Sequence, residues 1–473
     1  MKNILIAGVS TLALFAAAPV AAQSTSNVTQ TGNTGTAEVD QDGSAGTNLS
    51  DIIQAGTGNT AEATQNSVAG AQNHSTITQG SRASNSRATV SQDGEGNTSD
   101  VEQDGDNSTA DVTQNGSGNN STVDQSGLTS YVAATVTQTG SQNDSSVGQV
   151  GVGSSVTVNQ TNDLAGTVGN NSIVTQAGLE SSVSVSQNGQ ENTSLVGQVS
   201  DNSTVNVTQG GARNDSIVGQ AAFSSTISVN QQGEDNQSAV LQIAGGSSVI
   251  VNQDGNSNIS TVSEIADLSD VTVTQTDNSN NASVSQNPAF ERTRLWGSIY
   301  ANLPVNENNS STTVQTGDNN DASVSQFGKN QVASIEQIGN GNSVGDPGTS
   351  VGILQIGLNQ TANITQTGNG NNSLVEQGGK DSSTTITGAS SYGNSAELNQ
   401  TGTDGKSWVY QDGANNIANL DQGGFDNQST ITQDGTSNIA NVTQGSSDNV
   451  SFVTQTGTGN SATVNQGGTS LIN

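Results

Sequence analysis

The chain has 473 residues, of which 29% are hydrophobic and 3% aromatic, too little apolar volume for ordinary globular cores. It carries 41 acidic against 9 basic residues, a net charge of −32, which argues against a nucleic acid partner because so few Lys and Arg can displace phosphate counterions. There is no cysteine and one histidine, His74, so neither a disulfide framework nor a conventional nucleophile–base pair or transition-metal cage can be assembled.

Such a composition describes a disordered chain unless the sequence repeats. In chain order, residues 1–22 read as a secretory signal peptide. Lys2 gives a positive start, Ile4 to Phe15 an apolar stretch, and Val20-Ala21-Ala22 a small-residue cleavage site before Gln23. The apolar run is too brief to span a bilayer comfortably, and no later stretch crosses one. The mature chain is expected to begin near Gln23 and to act outside the cytoplasm.

Residues 23–286 and 309–473 are repetitive. The longest regular run of anchors is Gln176, Gln187, Gln198, Gln209, Gln220, Gln231, Gln242, Gln253, Glu264, Gln275 and Gln286, always eleven residues apart. Along the chain there are 36 anchors from Gln30 to Gln466, and 27 of the 35 intervals are eleven residues long, which chance does not produce. Before each anchor the sequence alternates at period two, as in Asn192, Ser194, Val196 and Gln198, the mark of a β-strand with one buried face. Gly two residues after the anchor, as at Gly94 and Gly413, admits positive φ and lets the chain turn.

A second period overlies the first. Six residues before the anchor the sequence alternates Ser181, Asn192, Ser203, Asn214, Ser225, Asn236, Ser247, Asn258, Ser269, Asn280, so the true unit is 22 residues and two strands. One strand of the unit carries two aliphatics, such as Val205 and Val207, and the other a small residue and one aliphatic, such as Ser216 and Val218. The two are expected to face each other as walls of a thin core. Stacking puts equivalent anchors about 4.8 Å apart, where in-register amides bond in a ladder. The predicted fold is all-β, a β-solenoid of about eighteen two-strand rungs with amyloid-like cross-β stacking, roughly 85 Å tall at strand spacing. The expected ladder residues in the regular run are Gln187, Asn192, Gln198, Gln209, Asn214, Gln220, Gln231, Asn236, Gln242, Gln253, Gln275, Asn280 and Gln286.

Residues 287–308 break the grid. Pro288 and Pro304 keep this piece out of a central strand, and Phe290, Arg292, Arg294, Trp296 and Tyr300 make it aromatic and basic on an otherwise acidic chain. It reads first as an insertion packed on the flank of the solenoid and second as an adhesive contact loop. Asp346-Pro347-Gly348 marks another break, and short insertions at early turns, as between Gln160 and Gln176, suit bulging loops.

The pattern QxGxGNxAxxxQ, or close to it, occurs at Gln92 to Gln103, Gln366 to Gln377 and Gln455 to Gln466. This resembles the curlin repeat of curli subunits, secreted bacterial proteins whose strand-turn-strand units form functional amyloid in biofilms. The resemblance covers most of the mature chain. It implies an extracellular or cell-surface fibre of a Gram-negative bacterium. Its implied partners are further copies of the chain, a nucleator subunit and an outer-membrane export pore. Two features depart from the family. The first strand ends at Gln30, leaving almost no room for the non-repeat segment the export pore reads, and the chain is several times longer than a usual curli subunit.

No enzymatic activity and no cofactor are expected, because the acids fall mostly in turns or on outward strand positions, as a solvated charge surface. Stacked turn aspartates such as Asp93 and Asp104 are candidates for collecting Ca²⁺, with loose cation screening ahead of specific sites because the GGxGxD calcium repeat is absent. The principal expected function is a fibre subunit for biofilm matrix, adhesion and cell aggregation. The alternative is a monomeric solenoid presenting a flat ladder to ice or another surface. Outward pairs such as Thr76 with Thr78 and Thr135 with Thr137 favour that alternative, and Ser184 and Gly197 at equivalent positions oppose it.

Overall fold

The computed structural model describes residues 24–43, 47–67, 72–125, 130–162, 168–286, 307–345, 352–378 and 392–467. The expected signal peptide and the loop residues Phe290, Arg292, Arg294, Trp296 and Tyr300 lie outside the described residues. Among the described residues there are 37 strands and no helix, hence none long and apolar enough to cross a membrane.

The chain forms two compact units, one of residues 1–224 with 228–234 and one of 225–227 with 235–473. In each, successive strands go alternately to two sheets and pair in parallel with the next strand of the same sheet, apart from one rung position in the second unit that two short strands share. In the first unit, one sheet runs from Thr25–Gln30 to Asp215–Gln220 and the other from Thr36–Gly43 to Thr226–Glu234. In the second, one runs from Gln237–Gln242 to Val450–Thr458 and the other from Ser248–Asn256 to Ser461–Gln466. Each unit makes nine turns, so the protein is an all-β, parallel β-solenoid of about eighteen turns.

Register follows the 22-residue period. Ser182–Gln190 lies on Thr204–Ala212 with Val183 over Val205, Val185 over Val207 and Gln187 over Gln209. A slip of one residue would turn every inward side chain to solvent, so the alternation fixes the register. The inward Val, Ile, Leu and Ala positions are almost fully buried; Val185, Val196, Val205 and Ile227 are all at 0% exposure. Each buried aliphatic contributes about 1.5–3 kcal/mol. No rung offsets its own chain entropy, and stability is a sum over stacked neighbours.

Many turns, such as that after Gln187, take two left-handed residues, one more than the spacing of glycines reveals, and others, such as those after Gln198 and Gln220, take one. After Gln187, Gly189 has φ 123° and Glu191 has φ 56°. A Cβ on Gly189 would sit 1.9 Å from the Gly211 carbonyl oxygen of the next rung, so close stacking as well as φ demands glycine. The second position, four after the anchor, takes Asn202, Arg213, Ser224 or Asp235 with φ between 51° and 59°, and Gly96 or Gly118 elsewhere. Its strain is modest enough for several residue types.

Interruptions leave the stack intact. Asp270–Thr276 pairs directly with Ser310–Thr316, and Asn281–Gln286 with Asp321–Lys329, across the whole 287–308 insertion. At the Asp346-Pro347-Gly348 break one rung position is filled by two pieces, Ser343–Val344 and Ile353–Leu358. Both pair with Asp321–Lys329 on one side and Asn372–Gln377 on the other. A third interruption lies between Gln377 and Gln400, yet Gln366 still bonds Gln400.

Candidate functional site

Each anchor side chain points into the core between the two sheets. Gln187 Nε2 donates to Gln209 Oε1 at 2.8 Å, to the Asn171 carbonyl on the facing sheet at 2.9 Å, and to the Asn192 carbonyl at 3.0 Å. The anchor therefore ties rung to rung and sheet to sheet at once. Gln198 bonds Gln220, Gln209 bonds Gln231, Gln253 bonds Gln275, Gln275 bonds Gln315 and Gln286 bonds Gln326, all at 2.8–2.9 Å. In every link the amide nitrogen donates toward the following rung. The same direction holds from Gln30 to Gln220 and from Gln41 to Gln231 in the first unit.

The Asn residues at the strand starts run the opposite way. Asn214 donates from both its main-chain nitrogen, at 3.1 Å, and Nδ2, at 3.0 Å, to Asn192 Oδ1 of the preceding rung. Its Nδ2 also caps the turn through the Gly233 carbonyl at 3.0 Å. Asn236 accepts from Asn258 and caps Gly255, and Asn280 bonds Asn258 and caps Gly317. Ser does the same job on the other sheet. Ser181 Oγ donates to the Ser200 carbonyl at 2.7 Å and accepts from the Ser203 nitrogen at 3.3 Å. The Ser/Asn alternation thus marks two versions of one turn cap.

A third column is polar without being bonded. Ser50, Ser75, Ser99, Ser121, Ser145, Ser172, Ser194, Ser216, Ser238 and Ser260 each bury Oγ with no hydrogen-bond partner. In the second unit the column continues as Ala282 and Ala322. A buried hydroxyl without a partner costs about 1–3 kcal/mol, so Ser194→Ala is expected to stabilise the fold by about 1 kcal/mol. Urea unfolding of the two proteins checks this; a destabilised variant would show that the hydroxyl is satisfied.

The remaining candidate groups are peripheral. His74 opens the strand His74–Gln79, partly exposed, 4.0 Å from Asp51 and 3.5 Å from Thr76 Oγ1. Asp93 and Asp104 do not stack on each other. Eleven residues is half a turn, so Asp93 lies beside Asn66, which donates to it at 3.0 Å, while Asp104 pairs with Arg82 at 3.5 Å. Arg213 pairs with Glu234, and Lys329 with Glu307, between neighbouring rungs. Such exposed pairs contribute little. No group of three or more acids or histidines able to hold a metal occurs among the described residues.

The terminal strands differ from the rest. Ser461–Gln466 pairs with Ile439–Gln444 and is exposed or half-exposed along its length, whereas the equivalent inward residues Ala440 and Val442 are at 0% and 2% exposure. Thr25–Gln30 pairs with Leu49–Gln54 and is likewise exposed. Because the Gln ladders share one direction, the last rung turns the amide nitrogens of Gln455 and Gln466 to its open side. The first rung turns the oxygens of Gln30 and Gln41 to its own.

This geometry defines a structural repeat protein, a β-solenoid whose internal polar groups serve stacking. The family described as the curlin associated repeat matches residues 83–116, 105–132, 317–345 and 350–387. Over those segments, which cover less than half of the chain, it carries curlin repeats. No curated protein matches it.

Proposed function

We propose that the chain is the structural subunit of a secreted, curli-like extracellular fibre, with roles in biofilm matrix, surface adhesion and cell aggregation. The observation that carries this reading is the pair of edge strands, exposed among the described residues, with matched polarity. The last rung offers Gln455 and Gln466 amide hydrogens and unpaired main-chain groups, and the first rung offers Gln30 and Gln41 oxygens. A second copy placed first rung on last rung continues both ladders, and exposed strand edges template such addition. Growth in this reading is end to end and polar, with a nucleating subunit and an outer-membrane pore as further partners. The abundance of acids keeps separate copies soluble before assembly.

The outer face does not support an ice-binding surface. One outward column reads Asp111, Thr135, Thr157, Ser184, Asn206, mixing charge, size and hydrogen-bonding character. Incubating the mature protein with sonicated fragments of its own fibres, and following thioflavin fluorescence with electron microscopy, tests the proposal. Seeded elongation without a lag is expected; a permanently monomeric, dye-negative protein with thermal hysteresis would overturn it.

A further inference from the structure

One rung of the ladder lacks its link. In the second unit the ladder reads Gln242, Glu264, Gln286, Gln326, and the chain has a carboxyl where every neighbour has an amide. Gln242 Nε2 donates to Glu264 Oε2 at 2.9 Å, as it would to a glutamine. On the other side Glu264 Oε1 and Gln286 Oε1 are both buried with no hydrogen-bond partner. They occupy the donor and acceptor places of the ladder, yet a carboxylate oxygen and an amide oxygen are both acceptors.

Turning the Gln286 amide over does not repair this. Its Nε2 already donates to Gln326 Oε1 at 2.8 Å, and the ladder continues through Gln355, Gln377 and Gln411 with the same direction. Each nitrogen also donates to a main-chain carbonyl on the facing sheet, for instance Gln326 to Ser310 and Gln355 to Val332. Reversal would have to break all of these bonds.

We propose that Glu264 is a proton-operated link in the ladder: taking one proton from water, its Oε1–H donates to Gln286 Oε1 and closes the gap, and losing that proton opens it. The surroundings favour the closed form. Glu264 is at 0% exposure, the one ionisable side chain buried among the described residues. The strands stacked on either side, Gln237–Gln242 and Asn281–Gln286, contain no ionisable residue. On the facing sheet Asp254 is exposed, while Asp270, and Asp267 in the adjoining turn, repel a negative charge. Burial, the largest influence, raises the Glu264 carboxyl to about 8, against the pull of Gln242 and, more weakly, of nearby Ser247.

An acid whose folded value lies above its unfolded one binds the proton more tightly when folded. Its contribution is complete below about 4.5 and is lost as pH rises through about 8. Neutral glutamine at this position has no such dependence. The link belongs to the folded rung and holds whether or not copies polymerise.

The test is an infrared titration of the mature full-length protein labelled with ¹³C-glutamate, beside Glu264→Gln, which installs the residue found at the other anchors. The label excludes Asp215 and Asp321, two aspartates that desolvation also shifts upward. In the wild type one protonated glutamate band is expected to persist above the ordinary glutamate range and to vanish near pH 8, and to be missing from Glu264→Gln. In urea, the unfolding constant of the wild type relative to Glu264→Gln is expected to rise by up to about tenfold per pH unit in that window. A glutamate titration confined to the ordinary range, or a pH-independent ratio, would overturn the proposal; the labelled wild type decides even if the variant does not fold.

Discussion

Gln209→Ala is expected to be among the most destabilising single substitutions in the first unit. Gln187 Nε2 loses its acceptor and Gln231 Oε1 its donor, and the carbonyls of Thr193 and Asn214 lose the amide that bridges them. Stranding buried polar groups costs about 1–3 kcal/mol each, and the missing side chain leaves a hole in a thin core. We expect a loss of about 3–5 kcal/mol. Ser184→Ala, outward and exposed on the neighbouring rung, is expected to fall within about 0.5 kcal/mol of the wild type. Urea unfolding of monomeric protein followed by circular dichroism separates the two. Equal midpoints would mean that the ladder adds nothing beyond aliphatic packing.

Ala462→Lys combined with Val464→Lys is expected to abolish elongation while leaving the single chain folded. Both side chains point inward on Ser461–Gln466 but are half-exposed in the isolated chain, so the ammonium groups remain solvated there. Under an added copy they would become unpaired buried charges, each costing several kcal/mol. At about 1.4 kcal/mol per tenfold, elongation from that end falls by more than about a hundredfold. The substitution adds positive charge to a chain of net charge −32, so greater repulsion between copies does not account for the loss. Thr463→Lys, whose side chain faces outward, is the matched control. Seeded elongation rates decide, and an unchanged rate in the double variant would show that copies do not join through this edge.

Most of this fold is legible in the sequence because one local environment recurs. Alternation at period two defines the strands, anchors such as Gln187 and Gln209 set the register, and the 22-residue period separates the two sheets. The Ser and Asn alternation is visible too, though not that Ser181 and Asn192 perform one capping task with different atoms. Other features depend on contacts between rungs and leave weaker traces. The second left-handed turn position tolerates Glu191 and Arg213, so it has no single-residue signature. The bond from each anchor to the facing sheet follows from core thickness, which composition does not encode. Asp93 and Asp104 show the reverse case: the 22-residue period already places them on opposite sheets, and only their similar setting within the repeat suggests stacking. Glu264 is conspicuous as the one acid in a glutamine series, but its chemistry needs the direction of the ladder, which is a property of the folded chain.

The central claim, that copies join by continuing their own ladders, is tested most directly by cryo-electron microscopy of fibres grown from the mature protein. Strands are expected to stack without a break at about 4.8 Å, with Gln455 and Gln466 of one copy seated beneath Gln30 and Gln41 of the next. Discrete particles of one chain each, or fibres in which copies meet flank to flank with their end rungs apart, would contradict it.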